Sequence, residues 1–155
     1  MSMKKQRNNV MILGFIAAVV MLMTAYFTQA FATEITMYKN PNCGCCGAWA
    51  KHMRDAGFTV QEQPRDDMGV IKAKYGVSDK LASCHTAIVE GYVIEGHVPA
   101  SDVQRLLKER PAVVGLTAPG MPMQSPGMQA DEKPPKNYDV IAFDKHGETQ
   151  VFHHY

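Results

Sequence analysis

Three of the four cysteines, Cys43, Cys45 and Cys46, fall within the stretch NPNCGCCGAW, residues 40–49. Cys43 and Cys46 form a C-x-x-C pair, and in a strand–C-x-x-C–helix arrangement the first thiol sits near a helix N-terminus. The unpaired N–H groups and the dipole there favour thiolate, which is both the nucleophile of disulfide exchange and a ligand for soft metals. Cys45 weighs toward metal. A dithiol switch needs one attacking and one resolving sulfur, and a third nearby invites scrambled pairing. Three thiolates plus a fourth suit Cu(I), with zinc on four thiolates the next choice. Two other readings stand beside the metal. Four cysteines in an exported chain commonly make two structural disulfides, although two bridges rooted in one tight turn are cramped. Thiol–disulfide exchange through Cys43 and Cys46 is the second.

The fourth sulfur, Cys84, directly precedes the strand-like run His85 to Val89. If that strand lies centrally beside the first one, Cys84 is delivered to the Cys43 turn. His85 and His97 could each complete a site, though a lone histidine in a strand is more often structural. Met121, Met123 and Met128 lie in APGMPMQSPGMQADEKPPK, residues 118–136, which has five prolines, two glycines and no helical stripe. Thioethers exposed in such a loop are soft ligands for Cu(I) that withstand an oxidising compartment better than thiols do. Met37, Met53 and Met68 read as ordinary core fillers, Trp49 as a core anchor beside the site, and His52 and His146 as surface residues. His153 and His154 read as a solvated tail able to chelate weakly.

The elements that must position these groups alternate in type. Glu34 to Tyr38 reads as a strand and Asn40-Pro41-Asn42 as turn chemistry. A helix begins within or just after the cysteines, with Trp49 and Met53 on one face, and Gly57 ends it. Phe58 to Gln63 is a second strand. Asp66 and Asp67 open a helix carrying Val70, Ile71 and Tyr75. His85–Val89 and Tyr92–Val98 form a hairpin around Glu90-Gly91. Pro99 to Asp102 opens a last helix with Val103, Leu106 and Leu107 on its stripe. The order is β-α-β-α-β-β-α with one parallel pair from the first crossover, followed by the Pro/Gly loop and a terminal hairpin, Tyr138–Phe143 with Thr149–His153.

The 155 residues suffice for one domain. Residues 1–32 read as a signal peptide: Lys4, Lys5 and Arg7, an apolar run from Val10 to Ala25, then Ala30-Phe31-Ala32 as cleavage pattern. That run is short for a spanning helix of about 20 residues, so export to the periplasm with cleavage after Ala32 is expected, leaving residues 33–155. Taking those three basic residues from the 16 leaves 13 against 15 acidic ones. This mild negative balance speaks against nucleic acid or an acidic membrane surface as partner. No general acid/base pair, phosphate-binding glycine loop or nucleophile with its base appears, and the residues leave enzyme status open.

MYKNPNCGCCGAWAKHMRDAGF resembles the opening of glutaredoxin- and thioredoxin-like domains, and IVEGYVIEGHVPASDVQRLL their closing hairpin and helix. Such domains commonly place a cis-proline where this chain has Ala82-Ser83-Cys84-His85-Thr86, so the resemblance argues against a standard thioredoxin activity. More closely, CGCCGAW, LASCHTAIVEGYVIEGHVPA and GLTAPGMPMQSPGM resemble the CopG-type family of exported copper-resistance proteins, once known only as a domain of unknown function. That resemblance implies a thioredoxin-like α/β domain with a methionine-rich loop and C-terminal β-hairpin. It implies copper as Cu(I), in one ion or a polynuclear set bridged by thiolates of Cys43, Cys45, Cys46 and Cys84. His85, Met121, Met123 and Met128 match its motifs, and copper ions and other copper-handling proteins are the implied partners. The alternative remains a periplasmic thiol–disulfide oxidoreductase.

Overall fold

A computed structural model describes residues 32–129 and 133–155. The expected leader falls outside them apart from its last residue. Ten elements follow one another: β1 (Glu34–Lys39), α1 (Gly44–Asp55), β2 (Thr59–Pro64), α2 (Met68–Lys74), β3 (His85–Val89), β4 (Tyr92–Glu95), α3 (Ala100–Glu109), β5 (Gly115–Thr117), β6 (Asp139–Phe143) and β7 (Thr149–His154). The first seven keep the expected order. All seven strands join one sheet, ordered β2-β1-β3-β4-β5-β6-β7.

Among the described residues two strand pairs are parallel, not one. β1 and β2 are joined through α1 as expected, and β4 and β5 are joined through α3. β5 carries no strand signal because it is three residues long and opens on glycine. Only glycine fits there: a Cβ on Gly115 would lie 1.8 Å from the Val93 carbonyl oxygen. Through β5 the terminal hairpin becomes an extension of the main sheet.

The strands alternate between two apolar layers, as a period of two requires. Ile35, Met37, Ala87, Val89, Ile94, Leu116 and Ala142 face α1 and α3. Val93 and Phe143 face the other way, onto Val77 and Leu81 of the segment after α2. α1 buries Cys46, Trp49, Ala50 and Met53, positions i, i+3, i+4 and i+7, which form one stripe of a 3.6-residue helix. It ends as the sequence indicates: Gly57 has φ 94°, its N–H reaches the Arg54 carbonyl, and Phe58 N–H reaches that of Met53, a Schellman closure. α2 buries only Ile71; Val70 is 64% exposed, and Met68 is half-buried rather than a core filler. No described helix is long and apolar enough to cross a membrane.

Candidate metal centre

Register explains how two distant segments meet. β3 runs antiparallel to β1 with His85 opposite Lys39, so Cys84 falls beyond Lys39, where the chain leaves β1 for the cysteine turn. In that turn the Asn40 side chain accepts from Asn42 N–H and its carbonyl from Cys43 N–H, both at 3.0 Å, an Asx-type bend. Cys43 is the N-cap of α1. The four sulfurs of Cys43, Cys45, Cys46 and Cys84 lie within 4.8 Å of one another. Two sulfurs on one ion at about 2.3 Å each are at most about 4.6 Å apart, so the set fits one ion or a compact group after small adjustments.

The turn is oxidised here. Cys43 and Cys46 are bridged, with Cα atoms 5.4 Å apart, an ordinary separation for a disulfide. Cys45 and Cys84 are free thiols, and Cys45 Sγ lies 3.6 Å from Cys43 Sγ. Cys46 is fully enclosed, whereas Cys43, Cys45 and Cys84 are half-buried. Burial, reinforced by the neighbouring Cys45, pushes the Cys84 thiol up to about 11.

Two imidazoles complete the group, and Cys84, His85 and His97 again present atoms within 4.8 Å of one another. Cys84 Sγ is 3.7 Å from His85 Nδ1 and 2.9 Å from His97 Nε2. A carbonyl only accepts, so His97 carries its proton on Nδ1, donating to Pro126 O at 2.7 Å. Its Nε2 lone pair is thereby aimed at Cys84, the orienting arrangement found around metal-bound histidines. His85 is enclosed, its ring 4.4 Å from Trp49 and 5.1 Å from His97. Among the described residues its Nε2 has no hydrogen-bond partner. A buried polar atom without a partner is uncommon; it is Nδ1, not Nε2, that lies toward Cys84. Burial holds both imidazoles below the ordinary value of 6.5, His85 further down under the influence of His97 and Lys72.

His97, one of the two histidines the sequence offered to complete a site, is brought to Cys84 by the strand register. The signal was available: with Val89 opposite Tyr92 and Thr86 opposite Glu95, the same register carried two steps further sets Cys84 opposite His97. Trp49 is a core anchor, as expected, with Nε1 donating to Val98 O at 2.8 Å. His52 is not a surface residue. It is half-buried, and its Nε2 accepts from Ala100 N–H at 3.1 Å, satisfying an orphan donor at the start of α3. His153 and His154 belong to β7 and pair with Asp102, at 2.8 Å, and with Asp139.

The Pro/Gly segment after β5 lies across the site as a strap with three attachments. Gly120 N–H donates to Ala82 O and its carbonyl accepts from Ser83 Oγ. The Pro126 carbonyl accepts from His97 Nδ1–H. Gly127, at φ 82°, packs so closely on α1 that a Cβ would lie 2.6 Å from Trp49 N. Met121 and Met123 are 59% and 68% exposed on this strap, while Met128 is half-buried. The thiols and imidazoles converge; Met121 and Met123 stand at the surface.

A mixed α/β domain whose single sheet brings a helix-start cysteine turn, a strand-leading cysteine and two buried histidines to one point defines a thiol–imidazole cluster protein. Residues 81–128 match the family described as "Protein of unknown function, DUF411". Solved structures of Form 1 and Form 2 of the copper resistance protein copG are 38% identical to the chain. Each has a TM-score of 0.74, and the match covers 80% of this chain and 98% of that one. The chain belongs to the CopG family of copper resistance proteins. No curated protein matches it.

Proposed function

We propose that the chain is an exported copper-binding protein that takes Cu(I) through Cys43, Cys45, Cys46 and Cys84, assisted by His97 and His85. It would sequester the ion or manage its redox state during copper stress outside the cytoplasm. One observation carries the reading: four sulfurs from segments some forty residues apart lie within 4.8 Å of one another. The soft donor set favours Cu(I) over zinc, and the exposed Met121 and Met123 suit a first contact for incoming ion. Full use of the set requires the Cys43–Cys46 bridge to be open, which takes two electrons and two protons from a dithiol reductant. The test is anaerobic Cu(I) titration of the reduced chain against a chromogenic chelator. Cys84→Ser should weaken Cu(I) binding by roughly 100-fold, since even residues behind the ligands of a metal site are worth 10- to 100-fold. Unchanged binding would refute the proposal.

The bridge itself favours a second reading, thiol–disulfide exchange on protein substrates. Insulin reduction separates the two: turnover that survives Cys45→Ser and Cys84→Ser would support the oxidoreductase and count against the copper site.

A further inference from the structure

Behind Cys84 lies a buried charge that touches none of the sulfurs. Glu95, on β4, is completely enclosed. Its Oε1 accepts from Ser83 N–H at 2.6 Å and from Lys72 Nζ of α2, and its Oε2 accepts from Thr86 Oγ1 at 2.6 Å. Lys72 is itself largely covered, with 15% of its side chain exposed, and also reaches Thr86 Oγ1 at 3.3 Å. A buried ion pair of this kind adds little net stability relative to apolar side chains of equal volume. What it supplies is direction. The carboxylate grips the backbone on both sides of Cys84 and His85, at Ser83 and through the side chain of Thr86. Ser83 in turn donates to the Gly120 carbonyl and bridges to Gly120 in parallel register.

The geometry points to Glu95 as a positioning residue that fixes the Cys84 thiol within the sulfur cluster and, through Ser83, holds the strap over it. This rests on the reading that Cys84 binds Cu(I). With Glu95 and Lys72 in place, Ser83 cannot swing away from β4, so Cys84 keeps its sulfur toward Cys45 and His97.

The test compares Cu(I) affinity of the full reduced chain, by chelator competition under anaerobic conditions, across a small set of variants. E95L/K72M removes the charge pair and the acceptor for Ser83 while filling the space; E95Q/K72M keeps a carbonyl acceptor at the same position. E95L/K72M is expected to bind Cu(I) roughly 10- to 100-fold more weakly with an unchanged circular dichroism spectrum, and E95Q/K72M to recover to within about threefold of wild type. Because the effect runs through Cys84, E95L/K72M should add nothing when introduced into Cys84→Ser, the non-additivity of residues acting as a unit. Wild-type affinity in E95L/K72M, with C84S weakened, overturns the positioning role and leaves the copper reading standing. An equal further loss in the C84S background also overturns it. Wild-type affinity in C84S itself removes the copper reading and this inference together. Should E95L/K72M not fold, Ser83→Ala, which deletes the hydroxyl's ties to the Gly120 carbonyl and to Cys84 Sγ and leaves the Ser83 N–H on Glu95, should speed transfer of Cu(I) to the chelator several-fold; an unchanged rate refutes the proposal.

Discussion

Gly127→Ala is the sharpest probe of the strap. Two penalties add at this position. Its φ of 82° is left-handed, where alanine costs about 1–2 kcal/mol. The new Cβ would sit 2.6 Å from Trp49 N and 3.0 Å from Ala48 C and Trp49 Cα. These are backbone atoms of α1 that cannot rotate aside, and overpacking of this kind costs about 1–3 kcal/mol. The total is about 2–5 kcal/mol. Either α1 or the strap must yield. α1 is held by the enclosed Trp49, Met53 and Cys46, and a tryptophan in such a core is worth about 3–5 kcal/mol, so the strap should lift. Relief confined to the strap keeps the loss of global stability below the full penalty, while local opening, favoured by about 2 kcal/mol or more, becomes at least about 30-fold more frequent. Native-state hydrogen exchange should therefore accelerate by that factor at Ser125 and Met128, whose N–H groups donate to Pro122 and Ser125 carbonyls. Gly147→Ala is the control: φ is 83° with nothing within 4 Å of the added Cβ, so only the conformational cost applies, and only to the β6–β7 turn. If the Ser125 and Met128 amides exchange at the wild-type rate in Gly127→Ala, the strap does not rest on α1 as described and the reasoning fails.

Two further outcomes follow from burial at the site. With the Cys84 thiol near 11 against an ordinary 9.0, its thiolate fraction at pH 8 is roughly 100-fold below that of an unfolded-chain cysteine. Iodoacetamide labelling followed by mass spectrometry should show Cys84 reacting correspondingly slowly and accelerating through pH 10; fast labelling at pH 8 would contradict its burial. His85 and His97 are held below 6.5 by burial, so the unfolded chain binds more protons than the folded one under acid conditions. Stability is full above about pH 6.5 and is lost as pH falls below it: the urea midpoint of the metal-free protein should drop between pH 7 and 5, less so in His97→Gln, and a flat response in the wild type would refute the assignment.

Local chemistry made part of this architecture readable. Gly57 ends α1, Glu90-Gly91 closes the β3–β4 hairpin, and the 46-49-50-53 stripe marks the buried face, because each depends on residues within one turn or one hairpin. β5 was unreadable for the opposite reason: Gly-Leu-Thr becomes a strand only because Val93 and Phe143 flank it from far away in sequence. The same holds for Glu95, which lies inside the expected strand Tyr92–Val98 with nothing local to mark its partner, Lys72 of α2. The Pro/Gly segment was legible as a loop but not as a strap, since its holds at Gly120, Pro126 and Gly127 are made by backbone atoms that carry no side-chain signal. His97 lay between these cases: hairpin arithmetic sets it opposite Cys84, yet its residue type alone left it no more than one of two histidines able to complete a site.

The unequal exposure of the two bridged sulfurs gives the turn a polarity. A foreign thiol reaches Cys43, since Cys46 is enclosed, and the adduct it forms on Cys43 has three neighbours able to expel it: the Cys46 released by the attack, Cys45 at 3.6 Å, and Cys84 within 4.8 Å. Covalent capture at this helix start is therefore self-clearing, and a stable conjugate needs all three neighbours replaced at once.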